Sequence, residues 1–366
     1  MPDSFERSAP RPLSVYLGAA MTMLGPEAAP EEQAAHRAAM EQMLLGIRKY
    51  QAHPYRRPAG DLAEIWRKET SVLSFCPASP GRDKAGALLL VPSMINGPEI
   101  LDLIPGRSFT RWMAEQGFDI YLLDWGRPVT DAGMRPLDDV LQRLADAAAA
   151  VCERHGGPVD ALGYCMGGTL LLGAAAAHPA LFRRLVLLSA PWDFHAGDPR
   201  MMMQVMTGTP SALSLLEEKA ALPVDWIQNV FARVNPRLAL TKFAAFLEME
   251  NDSEEERIFI AVEDWLNSGQ DLSAGVARTC IMDWYTHNKP VKGEWVDMKA
   301  LAGHDALVVA AGKDILVPPE SAAAVVQSLP ESLVIRPPCG HISLMAGRNA
   351  RTMVWEPIRD WLNPLA

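Results

Sequence analysis

The sequence has little cysteine, and the few cysteines it has are scattered. There are five of them in 366 residues, an odd number, with no CxxC pair and no Cys/His spacing of the kind that structural zinc sites use. We therefore expect neither a disulfide framework nor a metal site. Such cysteine usage is typical of a reducing cytosol.

An excess of basic charge is also missing. Lys and Arg number 34 against 44 Asp and Glu, which gives a formal net charge of −10 at pH 7. An acidic chain without basic runs lacks the electrostatic pattern that binds phosphate backbones. We expect no nucleic-acid partner and no affinity for anionic membrane surfaces.

Long apolar runs are absent as well. The richest stretch, Thr169 to Ala177, has about half the length that a membrane-spanning helix needs. The segment from Met1 to Leu13 is polar with mixed charge and lacks the order of a secretory signal. These features predict a soluble, cytoplasmic protein without a membrane span.

From residue 86 onward, short apolar runs alternate with longer helical patterns, which predicts an α/β protein with a parallel sheet and crossover helices. Residues 86–194 and 296–366 are interpreted as the two parts of this core. The predicted strands are Ala87 to Val91, Asp119 to Leu123, Val159 to Gly163, Arg184 to Ser189, Ala306 to Ala311 and Ser332 to Arg336, and the predicted helices are Ser108 to Gln116, Leu137 to Arg154, Gly167 to His178, Pro319 to Ser328 and one around Thr352 to Trp361.

Two further regions flank or interrupt this core. Residues 1–85 are interpreted as an N-terminal helical extension, with a helix that begins at Pro30. Residues 195–295, rich in Met, Trp and Leu, are interpreted as a helical cap. The extension helix should bury one face formed by Met40, Met43, Leu44 and Ile47, and the cap should be broken at Pro210, Pro223 and Pro236.

The strongest local motif is Gly163-Tyr164-Cys165-Met166-Gly167-Gly168, which follows a predicted strand and precedes a predicted helix. That context is typical of a nucleophile elbow, where small neighbours permit a sharp, strained turn. The helix N-terminus favours a thiolate at Cys165. The alternative interpretation is a small buried cysteine in a glycine-rich turn.

A nucleophile elbow needs an acid and then a histidine on later loops. Asp314 stands at the end of a predicted strand and before a proline-opened helix, and His341 follows the last predicted strand. We expect His341 to take the proton of Cys165 and Asp314 to fix the imidazole tautomer. Taken singly, Asp314 could be a helix cap and His341 an ordinary loop residue.

An oxyanion hole in this architecture uses backbone N–H groups after the nucleophile and after an earlier strand. The first is predicted at Met166 and the second in the loop that follows Val91, at Met94 or Ile95. Asn96 in this loop is a candidate substrate-binding residue, with an Asx-type turn before Gly97 as the alternative.

Cysteine in place of serine favours acyl transfer from thioesters. A thiolate that attacks a thioester forms another thioester, so the acyl group stays activated, whereas serine would hold it as a stable ester. Hydrolysis stays open.

Three stretches of the chain carry a family pattern. The first runs from Ile95-Asn96 through Glu99 to Pro105 and on to Asp124-Trp125, the second is the box Gly163 to Leu170 with Asp193-Phe194, and the third joins Lys313 to Pro319 with Gly340-His341-Ile342. Together they resemble the polyhydroxyalkanoate synthases, which have an α/β-hydrolase fold and polymerise 3-hydroxyacyl groups from coenzyme A thioesters.

The resemblance implies that Cys165 carries the acyl group with His341 and Asp314 as its partners. It implies 3-hydroxyacyl-CoA as substrate, a growing polyester as product, and neither a metal nor a cofactor. The short N-terminal region is similar to the two-subunit synthases, which implies a second synthase subunit; a homodimer stays open. A location at the polyester granule surface would follow.

The chain departs from the family pattern at Ile315, Cys339 and Ser343, where the family usually has His, Gly and Gly. A cysteine hydrolase on the same scaffold, acting as a thioesterase, esterase or polyester depolymerase, is therefore the alternative function. A third hypothesis is a catalytically silent scaffold protein, against which the presence of Cys165, Asp314 and His341 argues.

Overall fold

The computed structural model describes residues 7–22, 29–58, 60–81, 83–131 and 136–363. Residues 1–6 of the predicted extension and residues 364–366 of the predicted core lie outside these ranges. The chain divides into two units. The first is Met1–Pro58 with Asp225–Ser268, and the second is Ala59–Val224 with Gly269–Ala366.

An eight-stranded sheet lies at the centre of the second unit. The strands of the protein are β1 (Ala63–Lys68), β2 (Ser71–Cys76), β3 (Gly86–Val91), β4 (Phe118–Asp124), β5 (Val159–Tyr164), β6 (Phe182–Leu188), β7 (Ala221–Leu222), β8 (Leu272–Ser273), β9 (Asp305–Val309) and β10 (Leu333–Ile335). The order in the large sheet is β1-β2-β4-β3-β5-β6-β9-β10, and β7 and β8 form a separate antiparallel pair. From β4 to β10 all neighbours in the large sheet are parallel, whereas β1–β2 and β2–β4 are antiparallel.

The helices follow the strands in the alternation that the sequence predicts. Short 3-10 turns lie at Pro98–Leu101, Pro179–Leu181, Met298–Leu301 and Ala324–Gln327, and π-helical turns at Thr279–Thr286 and Arg351–Trp355. The α-helices are α1 (Leu13–Thr22), α2 (Pro30–Ala52), α3 (Phe109–Glu115), α4 (Leu137–His155), α5 (Met166–Ala177), α6 (Arg200–Lys219), α7 (Val224–Val234), α8 (Leu238–Leu247), α9 (Glu254–Asn267), α10 (Ala274–Arg278), α11 (Lys289–Lys292), α12 (Pro319–Ala323), α13 (Ser343–Ala346) and α14 (Glu356–Leu362).

The central strands are buried on both faces, as a parallel sheet covered by helices requires. Every residue of β5 is buried, and so are residues 87–91 of β3. In register, Val91 pairs with Gly163, and both Tyr164 and Val309 pair with Leu188. Since the carboxyl ends of parallel strands share one edge, the loops after β3, β5, β6 and β9 meet there.

The sheet begins earlier in the chain than predicted. Residues 63–76 form a hairpin, β1 and β2, that joins the sheet beside β4, so the predicted core boundary at residue 86 needs correction. The hairpin gives only a weak sequence signal because β1 is mostly exposed and β2 is only partly buried. Glu69, at φ 52°, allows the tight turn between them.

The first unit is helical. Met43, Ile47 and Tyr50 of α2 are buried and pack with Phe243 and Phe246 of α8, which confirms the extension helix. Leu44 was predicted on this buried face, but its side chain is 41% exposed. The buried positions follow an i, i+4, i+7 spacing that leaves the next residue on the flank of the helix.

The predicted cap, residues 195–295, is helical but is divided between the two units, because Asp225–Ser268 belongs to the first. Pro210 does not break it, since α6 continues through this residue. The Thr209 hydroxyl donates to the Val205 carbonyl at 2.9 Å, and the Ser211 hydroxyl donates to the Gly208 carbonyl at 2.8 Å. The carbonyl that loses its backbone donor is that of Met206, four residues before Pro210, so these two bonds accompany the proline without replacing the missing one.

Candidate active site

Cys165 lies in the turn between β5 and α5, with φ 55° and ψ −130°. This backbone conformation is strained for a residue with a side chain, and such strain clusters at functional sites. The Cys165 N–H donates to the Leu188 carbonyl at 2.9 Å, and its carbonyl accepts from the Gly168 N–H at 2.9 Å. These bonds hold the turn in the geometry that the sequence motif predicts for a nucleophile elbow.

The glycines around Cys165 are needed for close backbone approach. A Cβ at Gly163 would lie 2.3 Å from the Gly168 Cα, and one at Gly167 would lie 2.3 Å from the Val91 carbonyl oxygen and 2.4 Å from that of Pro92. Contacts this short are not tolerated. Gly167 therefore lets the start of α5 pack directly against the carboxyl end of β3.

Asp314 and His341 lie together, as the sequence predicts. The His341 Nδ1 is 2.6 Å from the Asp314 Oδ2, and both side chains are almost fully buried. The other oxygen of Asp314, Oδ1, accepts the N–H groups of Leu316 and Val317, each at 2.9 Å. Asp314 thus caps the following turn with one carboxylate oxygen and orients the imidazole with the other.

The Cys165 side chain is a second hydrogen-bond partner of His341. Because Nδ1 faces Asp314, Nε2 is the nitrogen left for the thiol. The Tyr164 ring lies against the imidazole, with centroids 5.1 Å apart, and fixes its plane. The structure therefore brings Cys165, His341 and Asp314 into one connected row, although their catalytic roles stay a prediction.

The charges in this row shift the pKa values of its members. Burial opposes a charge on His341, but the Asp314 carboxylate and the adjacent Cys165 side chain raise the pKa of His341 well above its ordinary value. Burial likewise opposes the Asp314 carboxylate, yet His341 and the two backbone N–H groups lower the pKa of Asp314. The pair thus stabilises the imidazolium that forms when His341 accepts a proton.

The loop after β3, where the second oxyanion donor was predicted, lies beside the start of α5. Met94 is buried, the Ile95 N–H donates to the Ser93 Oγ at 3.3 Å, and the Ile95 carbonyl accepts from the Gln270 N–H at 2.8 Å. The Ile95 N–H thus already has an acceptor within its own loop. Asn96 is buried in the same loop. Met166 is the first residue of α5, where the N–H has no partner inside the helix.

Sequence reasoning missed Tyr285 as a residue of this site. It lies on the π-helical turn Thr279–Thr286, and burial and the neighbouring Cys165 raise the pKa of its hydroxyl. A π-helical turn is rare and often marks a functional site, but no sequence pattern predicts it. The only signal was the run Asp283-Trp284-Tyr285 in the predicted cap.

Cys339, one of the positions that departs from the family pattern, is half-buried close to Asp314. Burial and then the Asp314 carboxylate raise the pKa of its thiol, which keeps it protonated. Its carbonyl accepts the Lys313 N–H at 2.9 Å and so ties the Asp314 and His341 loops together. This contact is consistent with Cys339 as part of the loop's framework.

Neither a metal centre nor a membrane span is evident in the part of the chain that the structure describes. No group of three or more His, Cys, Asp or Glu side chains is arranged there to hold a metal ion. Likewise, none of the helices within those ranges combines the length and apolar character needed to cross a bilayer.

Comparison with known proteins agrees with this architecture. The family model for the alpha/beta hydrolase fold matches residues 105–347. The chain is 31% identical over 288 residues to a poly(3-hydroxyalkanoate) polymerase subunit of Haloferax mediterranei, a match that covers 75% of this chain but 58% of that protein. It is 28% identical to the polymerase subunit of the same name from Allochromatium vinosum, over 75% of this chain and 80% of that one.

Among solved structures, a carboxyl esterase from Bacillus coagulans shares the fold with a TM-score of 0.58. The match covers 84% of this chain and 99% of the esterase, at 14% sequence identity. At this identity the likeness concerns the fold alone. The resemblance to polyhydroxyalkanoate synthases that the motifs predict is confirmed by the polymerase relatives.

Proposed function

The chain belongs to the α/β-hydrolase fold family, and from that premise we propose that it is an acyltransferase that polymerises 3-hydroxyacyl groups from coenzyme A thioesters into polyhydroxyalkanoate. The observation that carries the proposal is a cysteine, rather than a serine, at the nucleophile elbow. This cysteine is a partner of His341, whose Nδ1 lies 2.6 Å from the Asp314 Oδ2. The polymerase relatives support the same assignment.

In the acylation step, the Cys165 thiol gives its proton to His341 and the sulfur attacks the thioester carbonyl of the substrate. The new C–S bond to Cys165 forms, the C–S bond to coenzyme A breaks, and the coenzyme A thiolate takes the proton back from His341. The acyl group now sits on Cys165 as a thioester. Coenzyme A leaves as the free thiol.

In the elongation step, the 3-hydroxyl group of another hydroxyacyl thioester gives its proton to His341 while its oxygen attacks the acyl carbonyl on Cys165. The ester C–O bond forms and the C–S bond to Cys165 breaks. The departing Cys165 thiolate then takes the proton from His341. The elongated chain, still a coenzyme A thioester, reacts with Cys165 again and releases coenzyme A.

Both steps pass through a negatively charged oxygen that needs N–H donors. The Met166 N–H, at the N-terminus of α5, suits this role because the helix leaves it unpaired and its dipole favours negative charge. In the loop after β3, Met94 is the better second donor, since the Ile95 N–H already donates to Ser93. Asn96, buried in the same loop, would contact the bound acyl group.

A cysteine hydrolase is the second candidate, and the departures at Ile315, Cys339 and Ser343 favour it. The two functions differ in what attacks the acyl group on Cys165, a hydroxyl group or water. Exclusion of water from the site would decide between them.

A second synthase subunit and the surface of polyester granules are the proposed surroundings of this enzyme. The relatives are named as subunits of a polymerase, which supports the first. The second follows from an insoluble product. Neither step above uses a cofactor or a metal ion beyond the coenzyme A of the substrate.

The test is incubation of the purified protein with 3-hydroxybutyryl-CoA, with coenzyme A release followed by a thiol reagent and the products separated into insoluble polymer and soluble acid. We expect coenzyme A release with polymer. Coenzyme A release with only free 3-hydroxybutyrate would assign the protein to the hydrolases. Absence of release, also with other acyl chains, would contradict both enzymatic functions.

A further inference from the structure

Helix α6 has an apolar face that its own packing does not explain. One face, with Met201, Val205, Ala212 and Leu216, is buried. A second face, about a third of a turn away, carries Met203 and Met206, which are 55% and 41% exposed. We define the methionine face as Met202, Met203, Met206, Pro210 and Leu213.

The spacing of these residues makes the methionine face continuous along the helix. Met202, Met206, Pro210 and Leu213 follow one another at intervals of three or four residues, which aligns them on one side. A helix that only packs on a core needs one apolar face and has polar residues elsewhere. The exposed methionines thus form a surface suited to an apolar or weakly polar ligand.

The start of α6 borders a cavity that shares Tyr285 with the surroundings of Cys165. Met201 and Met202 line a cavity together with Phe194, Tyr285 and Leu316. The Thr286 hydroxyl, which donates to the Ile281 carbonyl at 2.8 Å, also lies 3.7 Å from the Met206 Sδ, so α6 contacts the same π-helical turn that carries Tyr285.

Cys165 lies near this cavity. Its side chain packs against the buried cluster of Ala310, Val317 and Ala322, and together with burial it raises the pKa of the Tyr285 hydroxyl. Tyr285 therefore neighbours Cys165 and also lines the cavity that Met201 and Met202 line, and the exposed methionines belong to the same helix as these two.

The cavity itself is tight. Its volume of about 10 Å³ has room for about one water molecule. An acyl chain can enter only if side chains move, and methionine, unbranched and with three rotatable bonds, can do this at little cost. A row of methionines therefore suits a chain that must slide past rather than bind in one place.

We propose that the methionine face of α6 holds the growing polyester chain as it leaves Cys165. This inference rests on the proposed function and deepens it, because it assigns a binding surface to the product. A chain of esters with short alkyl branches is weakly polar and flexible, which matches the exposed, adaptable thioethers of Met203 and Met206. Retention of the chain on this face would set how many units are added before release.

The first test measures binding without turnover. In Cys165→Ala protein, Met203 and Met206 are oxidised with dilute hydrogen peroxide, with and without a 3-hydroxybutyrate hexamer methyl ester, and sulfoxide formation is followed by mass spectrometry. We expect the oligomer to slow oxidation of Met203 and Met206 severalfold. Met21 of α1, 72% exposed, is the internal control and should oxidise at the same rate in both samples.

The second test measures product length. In a double variant, Met203→Gln with Met206→Gln, we expect coenzyme A release at the wild-type initial rate but a mean polymer length reduced roughly threefold to tenfold, because a chain with weaker apolar contact dissociates faster. Gln preserves helix propensity, so the fold should persist. Met21→Gln is the matched control, with wild-type length expected.

The outcomes separate this inference from the function on which it rests. Unchanged oxidation rates at Met203 and Met206 with the oligomer, or wild-type polymer length in the double variant, would overturn the methionine face as a chain-binding surface. Wild-type protein that forms free acid and no polymer would overturn the proposed function, and the oxidation test would still show whether the face binds an ester chain.

Discussion

Each of the two units contains a buried histidine–carboxylate pair. In the second unit, His341 lies 2.6 Å from Asp314, and in the first, His53 of the segment after α2 lies 3.2 Å from Glu256 of α9. The two pairs differ in the third residue that each contacts. His341 also meets the Cys165 thiol, whereas Glu256 also meets the Lys49 ammonium at 2.8 Å.

The difference shows how one pair of residue types can serve chemistry or stability. Beside a thiol on a strained turn, the histidine has a proton to accept and a nucleophile to activate. Beside a lysine, the carboxylate is neutralised within a helical unit and fastens α2 to α9. We therefore expect changes at the first pair to affect turnover and changes at the second to affect folding.

The largest effect on turnover is expected from Cys165→Ser. The hydroxyl is a weaker nucleophile, and any acyl group it accepts is held as a stable ester, so we expect turnover to fall roughly 10⁴-fold or more. Steady-state coenzyme A release and mass spectrometry of the modified peptide measure both effects. Turnover within tenfold of the wild type would remove Cys165 from the mechanism.

Asp314→Asn should have the second largest effect on turnover. We expect a reduction of roughly 10³- to 10⁴-fold because the imidazole loses its orientation and the stabilisation of its charge. The pKa of His341 should fall, since burial then acts without the carboxylate. NMR titration of the histidine measures this shift. An unchanged pKa of His341 would show that Asp314 does not govern it.

The same pair makes stability depend on pH. The raised pKa of His341 stabilises the fold below the ordinary histidine pKa, and this contribution is lost as the pH rises through the raised value. The lowered pKa of Asp314 stabilises the fold above the ordinary aspartate pKa and is lost as the pH falls. The stability difference between wild type and Asp314→Asn should therefore be largest between about pH 4 and pH 6.5.

Gly167→Ala should have the next largest effect on turnover. The new Cβ would press on the Val91 and Pro92 carbonyl oxygens, so the start of α5 must shift together with the Met166 N–H. A displacement of this kind costs about 10²-fold in rate, and overpacking costs roughly 1–3 kcal/mol of stability. Steady-state kinetics measures the loss in rate, and urea unfolding measures the loss in stability. Gly157→Ala, whose Cβ would meet nothing within 4 Å, is the control.

Glu256→Gln should have the smallest effect on turnover and a large one on stability. It leaves Lys49 and His53 without their buried carboxylate, and the loss of one partner of a buried ion pair costs about 3–5 kcal/mol. Glu255→Gln, an exposed neighbour on α9, should cost less than about 1 kcal/mol. Equal unfolding midpoints for the two variants would contradict the structural role of the pair.

Much of the fold could be predicted from the sequence because the central strands are continuous apolar runs between helical patterns. The position of the elbow could be predicted because its glycines are required by sterics. The proximity of Cys165, Asp314 and His341 could be predicted because each stands in a loop after a parallel strand, and those loops lie at one edge of the sheet. All three now lie together.

Other features could not be predicted for physical reasons. The hairpin β1–β2 lies at the sheet edge, where exposed strands carry no apolar run. The continuation of α6 through Pro210 runs against local propensity, because proline inside a helix removes a backbone hydrogen bond and usually ends or kinks the helix. The placement of Tyr285 depends on a π-helical turn, and that of Asp225–Ser268 in the first unit depends on long-range packing with α2.

The most direct test of Cys165 as the acyl carrier is mass spectrometry of the Cys165 peptide after brief incubation with 3-hydroxybutyryl-CoA, with Cys339→Ala protein used to exclude the neighbouring thiol. We predict a 3-hydroxybutyryl adduct on Cys165 that forms as coenzyme A is released and is absent in Cys165→Ala. Coenzyme A release at the wild-type rate with no acyl group on Cys165, or with Cys165 replaced by Ala, would contradict it.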